Sequence, residues 1–192
     1  MKQQLEPIVQ RINSLAKHPL LVAVDGCGGA GKSTTAQALK TLVEPRHSVQ
    51  IVSLDHFYTP ISAAQQTLVK DKQARDHYFN SKAFRQHILF PLSMGQDITY
   101  QRQDWLTATS SGAYQIRAQG VIIIDGVYAF SRCLRDIYRL SIYVDTLPLM
   151  RLQRLQARIQ PSVDWISHWC ATEEWHHRYE QTRLAVNYLI YG

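Results

Sequence analysis

A chain of 192 residues, 45% apolar and 19% charged, has the ordinary composition of one globular domain. That balance excludes a fibre, a disordered tail and a disulfide-stapled miniprotein. The formal charge is +6, from 21 Lys and Arg against 15 Asp and Glu, with 14 arginines among the positives; this excess suits phosphate-bearing ligands and nucleic acid alike. Cys27, Cys133 and Cys170 are scattered and form no CxxC pair, as expected of reduced thiols in a cytoplasmic protein.

The opening MKQQLEPIVQRINSLAKHPL is charged and only intermittently apolar, unlike a signal peptide. Leu5, Ile8, Val9, Ile12 and Leu15 fall at helical spacing, and the helix should end near Lys17–His18, before Pro19. Leu20–Val24 reads as a strand buried on both faces, followed by a glycine-rich loop and a helix over Ser33–Val43. Val49–Leu54 reads as a second strand that delivers Asp55 at its C-terminal end. Residues 56–80 are polar, aromatic and weakly periodic, an excursion expected over the site. Ala83, Phe84, Ile88 and Leu89 support a helix that Pro91 should stop or bend, and a small hairpin or lid is expected over 98–118. Val121–Ile124 and Leu140–Val144 are strands ending at Asp125 and Asp145. Helices over Leu149–Ile159 and within 162–185, then a strand over Asn187–Tyr191, close the pattern. Neither aliphatic run, Leu20–Val24 or Val121–Ile124, can span a bilayer, so no membrane partner is expected. Strands separated by helices predict one layered α/β domain over 1–192 with a mostly parallel sheet.

The decisive segment is Gly26-Cys27-Gly28-Gly29-Ala30-Gly31-Lys32-Ser33-Thr34, which fits GxxxxGK[ST] between a strand and a helix. Glycines let successive backbone N–H groups converge on phosphate oxygens without Cβ obstruction, and the following helix points its positive end at the same anion. Lys32 should reach the β- and γ-phosphates of ATP, Ser33 should ligate Mg²⁺, and Thr34 should contact phosphate or cap the helix. Asp25 either tunes the loop electrostatically or makes a structural hydrogen bond.

The chain has no NKxD-like guanine-reading tetrapeptide and is short for a motor ATPase, which leaves a small-molecule kinase as the best fit. A kinase needs a carboxylate near the acceptor hydroxyl and positive charge near the transferred group. Asp55 meets the first need, since parallel strands share one crevice at their C-terminal ends; the alternative is a turn or cap residue. Asp125 could hold Mg²⁺ directly or through water, or cap a turn. Arg151, Arg154 and Arg158, spaced three and four apart, can share one helical face, either toward phosphate or toward solvent.

With GCGGAGKST at 26–34, LDHFY at 54–58, RDHYFNSKAF at 75–84, ITYQRQDW at 98–105, VIIIDGVYAF at 121–130 and IYVDTLPLMRLQRL at 142–155, the chain resembles the uridine kinase and phosphoribulokinase-like family of P-loop kinases over nearly its whole length. The resemblance implies a three-layer P-loop fold with a mostly parallel five-stranded sheet and small lid elements. It makes Asp55 the hydroxyl-activating base and Tyr58 an acceptor-pocket aromatic. It gives Asp76, His77 and Tyr100 acceptor contacts, and Arg151 and Arg154 lid roles. The family's usual Glu is Asp125 here, a second lid arginine is replaced by Leu155, and Arg102 could meet an anionic acceptor. The expected reaction is ATP-dependent phosphorylation of a small-molecule hydroxyl, first of all the 5′-hydroxyl of uridine or a related nucleoside. Pantothenate or an anionic sugar is the alternative acceptor. A nucleotide-regulated ATPase that binds nucleic acid or protein is the reading from another class, although nucleic acid is not the expected partner. A homo-oligomer is compatible with all of these.

Overall fold

The structure, a computed structural model, describes residues 2–15, 19–59, 78–104, 109–158 and 163–192. Its centre is a five-stranded sheet built from β1 (Leu20–Asp25), β2 (Val49–Ser53), β5 (Val121–Asp125), β6 (Leu140–Asp145) and β7 (Tyr188–Tyr191). The order is β2-β5-β1-β6-β7, and every pairing is parallel. All residues of β1 and β5 are buried, as expected for strands covered on both faces.

The two-residue period of the strands sorts their side chains into two cores. Leu20, Val22 and Val24 join Leu5, Ile8 and Ile12 of α1 (Lys2–Ser14) and Leu39 and Val43 of α2 (Lys32–Val43). Leu21, Ala23, Ile122 and Ile124 face the other way, toward Phe79, Phe84, Tyr128 and Trp169. These are the outer layers of a three-layer sandwich. The three-layer expectation holds, and the five-stranded sheet is parallel throughout.

The register brings Val24 and Ser53 beside Asp125, so β1, β2 and β5 end at one level. A 3-10 turn, Leu54–Phe57, carries Asp55 off β2 at that edge. The hairpin is formed by β3 (Ile98–Gln103) and β4 (Ser110–Ile116), with a register shift at Gln101/Arg102.

One helix differs from expectation. The third helix, α3, runs as Ser81–Phe84, a π turn over Arg85–Leu89, and Phe90–Ser93, so Pro91 lies inside it. The widened turn, in which the Phe90 N–H reaches the Arg85 carbonyl, carries the chain past a residue that has no N–H to offer. The remaining helices are α4 (Pro148–Arg158), α5 (Val163–Tyr179) and α6 (Thr182–Ala185); Gln181, at φ 52°, breaks the chain between the last two. At the sheet edge the Gln4 side chain bonds both backbone groups of Tyr191, donating to its carbonyl at 3.2 Å and accepting from its N–H at 2.8 Å. Among the described residues no helix is long and apolar enough to cross a membrane.

Candidate active site

The loop between β1 and α2 is shaped by backbone that only glycine tolerates. Gly29 has φ 72°, and a Cβ there would lie 2.5 Å from the Arg151 carbonyl oxygen. Gly26 has φ 146°, with the Val144 carbonyl oxygen 2.5 Å from its missing Cβ. The loop therefore packs directly on β6 and α4. Thr146 ties it down by donating to the Ala30 carbonyl at 2.8 Å, and Lys32 Nζ arches back to the Cys27 carbonyl at 3.0 Å. Ser33 and Thr34, at the start of α2, face outward.

Three aspartates surround this loop in different ways. Asp25 is fully buried and accepts hydrogen bonds from the N–H groups of Gly26, Tyr128 and Phe130 at 2.6, 3.1 and 2.8 Å. Burial pushes its carboxyl up to about 6, against the opposing pull of those donors and Lys32. Asp25 is thus a clamp between the loop and the turn after β5, the structural alternative of the two expected for it. Asp125 is also buried and hydrogen-bonded by Ser33; burial raises its carboxyl, while Lys32 and Ser33 lower it. Asp55 is exposed, and its backbone N–H is held by the Ser53 hydroxyl at 3.3 Å.

Asp55, Asp125, Lys32 and Ser33 line one cavity of about 220 Å³, with Tyr58, Trp169 and Glu173 on its other walls. The residues fit a magnesium ion: the Ser33 hydroxyl and Asp125 carboxylate are adjacent hard oxygen donors, and Asp125 is desolvated enough for a dication to favour its charged form. Among the described residues no three His, Cys, Asp or Glu side chains gather as a metal cluster. A dication here would take its other oxygens from phosphate and water.

The acceptor-side residues fall into two groups. Tyr58 is buried, donates to the Val127 carbonyl at 3.0 Å and meets Trp169 edge-on with ring centres 6.0 Å apart. Tyr100, on β3, packs against Phe57 at 4.7 Å and shares a 3.1 Å hydrogen bond with His56 Nδ1. It buttresses the turn that holds Asp55 and is not on the cavity wall. Burial first, then the Arg102 charge, lower the His56 imidazole. Arg102 itself is exposed on β3. Asp76, His77 and Trp105 lie outside the described residues.

The arginines of α4 separate. Arg154 reaches the loop, donating from Nη1 to the Gly29 carbonyl at 3.2 Å. Arg151 is buried, paired with Glu174, and borders a second, larger recess of about 1090 Å³ beside Cys27, Thr146 and Tyr191. The Arg158 side chain is outside the described residues.

Two side chains of α5 outside the expected site residues reach the phosphate loop or its clamp. Glu173 is fully buried and accepts the Gly28 N–H at 2.7 Å; burial pushes its carboxyl up to about 7, although Lys32 opposes the shift. Ile166, Trp169 and Glu173 recur at three and four residues, a helical-face signal that could have exposed this residue. His177 lies with Nε2 3.7 Å from Asp25 and Nδ1 3.3 Å from the Thr182 hydroxyl. Burial, helped by Lys32 and Arg151, lowers it to about 3, so it meets Asp25 as a neutral imidazole and forms no ion pair.

No family model matches the sequence. Among curated proteins the chain is 27% identical over 153 residues to the uridine kinase of Latilactobacillus sakei, covering 77% of this chain and 70% of that protein. It is 27% identical over 149 residues to uridine-cytidine kinase 2-B of Danio rerio, covering 72% of this chain and 57% of that relative. Among solved structures it superposes on a possible uridine kinase from Bacillus stearothermophilus with a TM-score of 0.77 at 16% identity, over 98% of both chains. A candidate fructose transport system kinase from Silicibacter sp. gives a TM-score of 0.75 at 18% identity, over 95% of this chain and 94% of the other. With its phosphate loop, strand-end carboxylates and parallel sheet, the chain has a three-layer P-loop kinase fold and is similar in sequence to uridine and uridine-cytidine kinases.

Proposed function

We propose that this chain transfers the terminal phosphoryl group of ATP to the 5′-hydroxyl of a nucleoside, with uridine or a related pyrimidine nucleoside the first choice. The observation that carries the reading is one cavity whose lining includes Lys32 and Ser33 of the phosphate loop together with Asp55. Phosphoryl transfer requires little covalent chemistry from the protein; it requires alignment and charge stabilisation.

The loop from Gly26 to Thr34 grips the triphosphate through backbone N–H groups, and the recess bordered by Arg151 offers room for the nucleoside part of the donor. Lys32 stabilises charge on the transferring group, and Arg154 is the lid arginine close enough to share that task. Ser33 and Asp125 would hold Mg²⁺, which supplies charge neutralisation on the phosphates when bound. Asp55 orients the acceptor hydroxyl and takes its proton. Tyr58 shapes the acceptor wall, with Tyr100 behind it. Asp76, His77 and Arg102 complete the acceptor contacts in this reading, which draws on the family resemblance for them.

The test is an ATP-dependent screen of nucleosides, sugars and pantothenate, with phosphorylated product read by mass. A nucleoside 5′-phosphate is expected. Product on a sugar or on pantothenate would keep the phosphotransfer and replace the acceptor, whereas hydrolysis stimulated only by RNA or a protein partner would replace the reading altogether.

A further inference from the structure

Glu173 meets the phosphate loop from α5, 145 residues along the chain from Gly28. Its Oε2 accepts the Gly28 N–H at 2.7 Å, and a Cβ on Gly28 would lie 3.2 Å from both carboxylate oxygens. That N–H belongs to a run of backbone donors suited to anions. A carboxylate, anionic and acceptor-only, resembles a pair of phosphate oxygens in such a setting. Trp169 also assists its ionised form, yet Oε1 keeps no well-formed hydrogen bond.

The charged and titratable groups around it are Lys32 of the loop, Arg151 of α4, and Cys27, Cys170, Tyr58 and Tyr128. Burial holds the thiols and phenols in their neutral forms. Lys32 and Arg151 are thus the cations that offset the carboxylate. A triphosphate seated in the same loop draws on the same lysine and the same backbone donors. Two anions then compete for one set of partners.

We infer that Glu173 is an internal competitor for the phosphate loop: its carboxylate holds Gly28 until a nucleotide displaces it, and so sets how tightly the donor binds. The inference rests on the assignment of the loop to a triphosphate and is independent of which acceptor is used.

The experiment compares the full chain with Glu173→Gln, which keeps the size and removes the charge. Binding of adenosine 5′-(β,γ-imido)triphosphate with Mg²⁺ is titrated without acceptor. At pH 8 the variant should bind about tenfold more tightly, the effect of removing roughly one pKa unit's worth of like-charge opposition. At pH 6 the gap should narrow to about twofold or less, because the wild-type carboxyl, held up by burial, is then largely protonated. The probe's own protonation affects both proteins, so the ratio isolates Glu173. Equal or weaker binding by the variant at pH 8, or a ratio that does not narrow at pH 6, overturns the inference while leaving the triphosphate site intact. Failure of both proteins to bind the probe overturns the site assignment and the inference together. Should the Gln variant not fold, Glu173→Asp, which draws the carboxylate back by one methylene, is read by the same pH 8 comparison.

Discussion

The Tyr58 hydroxyl donates to the Val127 carbonyl across 3.0 Å, tying the turn that bears Asp55 to the segment that follows Asp125. Asp25 holds that same segment from beneath through the N–H groups of Tyr128 and Phe130, and holds the phosphate loop through Gly26. Three pieces from three strands are thereby braced as one unit. Burial keeps the Tyr58 phenol far above its ordinary range, so it remains a donor at any working pH. Tyr58→Phe should cost about 1 kcal/mol of stability, the ordinary worth of one hydrogen bond with its carbonyl left buried. Catalytic efficiency should fall severalfold as Asp55 loses its brace. Denaturant unfolding and steady-state kinetics on one preparation check both; an unchanged kcat/KM would separate Tyr58 from the positioning of Asp55.

Asp55 lines the same cavity as Lys32 and Ser33, and its backbone is held by Ser53. Asp55→Asn keeps the shape and removes the carboxylate proposed as the base. Nucleotide affinity should stay within about twofold, while the transfer rate falls by roughly 10²–10⁴, the usual contribution of a positioned general base. Single-turnover phosphorylation with isotope-labelled nucleotide measures the step, and turnover at the wild-type rate would remove Asp55 from the chemistry.

Gly29 is the loop residue that a methyl group would damage most visibly. Its φ is 72°, and the Arg151 carbonyl oxygen sits 2.5 Å from the point an alanine methyl would occupy, so alanine fits only if the backbone of α4 moves. Gly29→Ala should lose about 1–3 kcal/mol of stability from strain and misfit. Triphosphate affinity should fall with it, because Arg154 is anchored on the Gly29 carbonyl. Calorimetric binding and thermal unfolding test the pair of effects.

Acid stability should reflect His177 on one side and the buried carboxyls of Glu173 and Asp25 on the other. His177 is lowered to about 3 from 6.5, so the unfolded chain takes up its proton first as pH falls, and stability drops below about pH 6.5. By pH 5 that loss is on the order of 2 kcal/mol. Glu173 is raised to about 7 from 4.5, so the folded chain takes up that proton first, and stability rises as pH falls from about 7 toward 4.5. Asp25, raised to about 6 from 3.8, adds a second rising slope below about pH 6, so stability should rise modestly as pH falls from 7 to 5. Glu173→Gln should tip the balance toward the histidine slope, partly offset by Asp25, and His177→Gln should leave a protein that gains stability more steeply over the same interval. Urea unfolding across pH 5–8 checks the signs, and parallel profiles for all three proteins would contradict them.

Much of the fold was legible because parallel strands write themselves as short apolar runs. Leu20–Val24 and Val121–Ile124 needed no partner to be recognised, and Asp55 after β2 with Asp125 at the end of β5 pointed to the sheet edge where the candidate site was expected. The glycine loop was legible because its backbone geometry excludes most side chains at fixed positions. Pro91 does not stop α3, because the π turn before it, a response to packing that local pattern does not encode, carries the helix past it. Arg151 and Arg154 looked alike on a helical wheel, yet three residues of helix rotate a side chain by about 60° from its neighbour. That difference sends one guanidinium to Glu174 and the other to the loop. The spacing of Ile166, Trp169 and Glu173 marks a shared helical face, but the contact of Glu173 with the Gly28 backbone, 145 residues away, is set by how α5 packs on the loop and not by that spacing.

The pairing of Gln4 with both backbone groups of Tyr191 has a consequence for how these molecules coexist in a crowded solution. β7 is the last strand on its side, and an outer strand with free N–H and C=O groups invites a stranger's strand to add on. The side-chain amide of Gln4 takes the place one residue of such a stranger would occupy, so α1 masks that point of the edge as well as covering the core. Gln4→Ala would leave the fold's interior untouched while unmasking that outer rim.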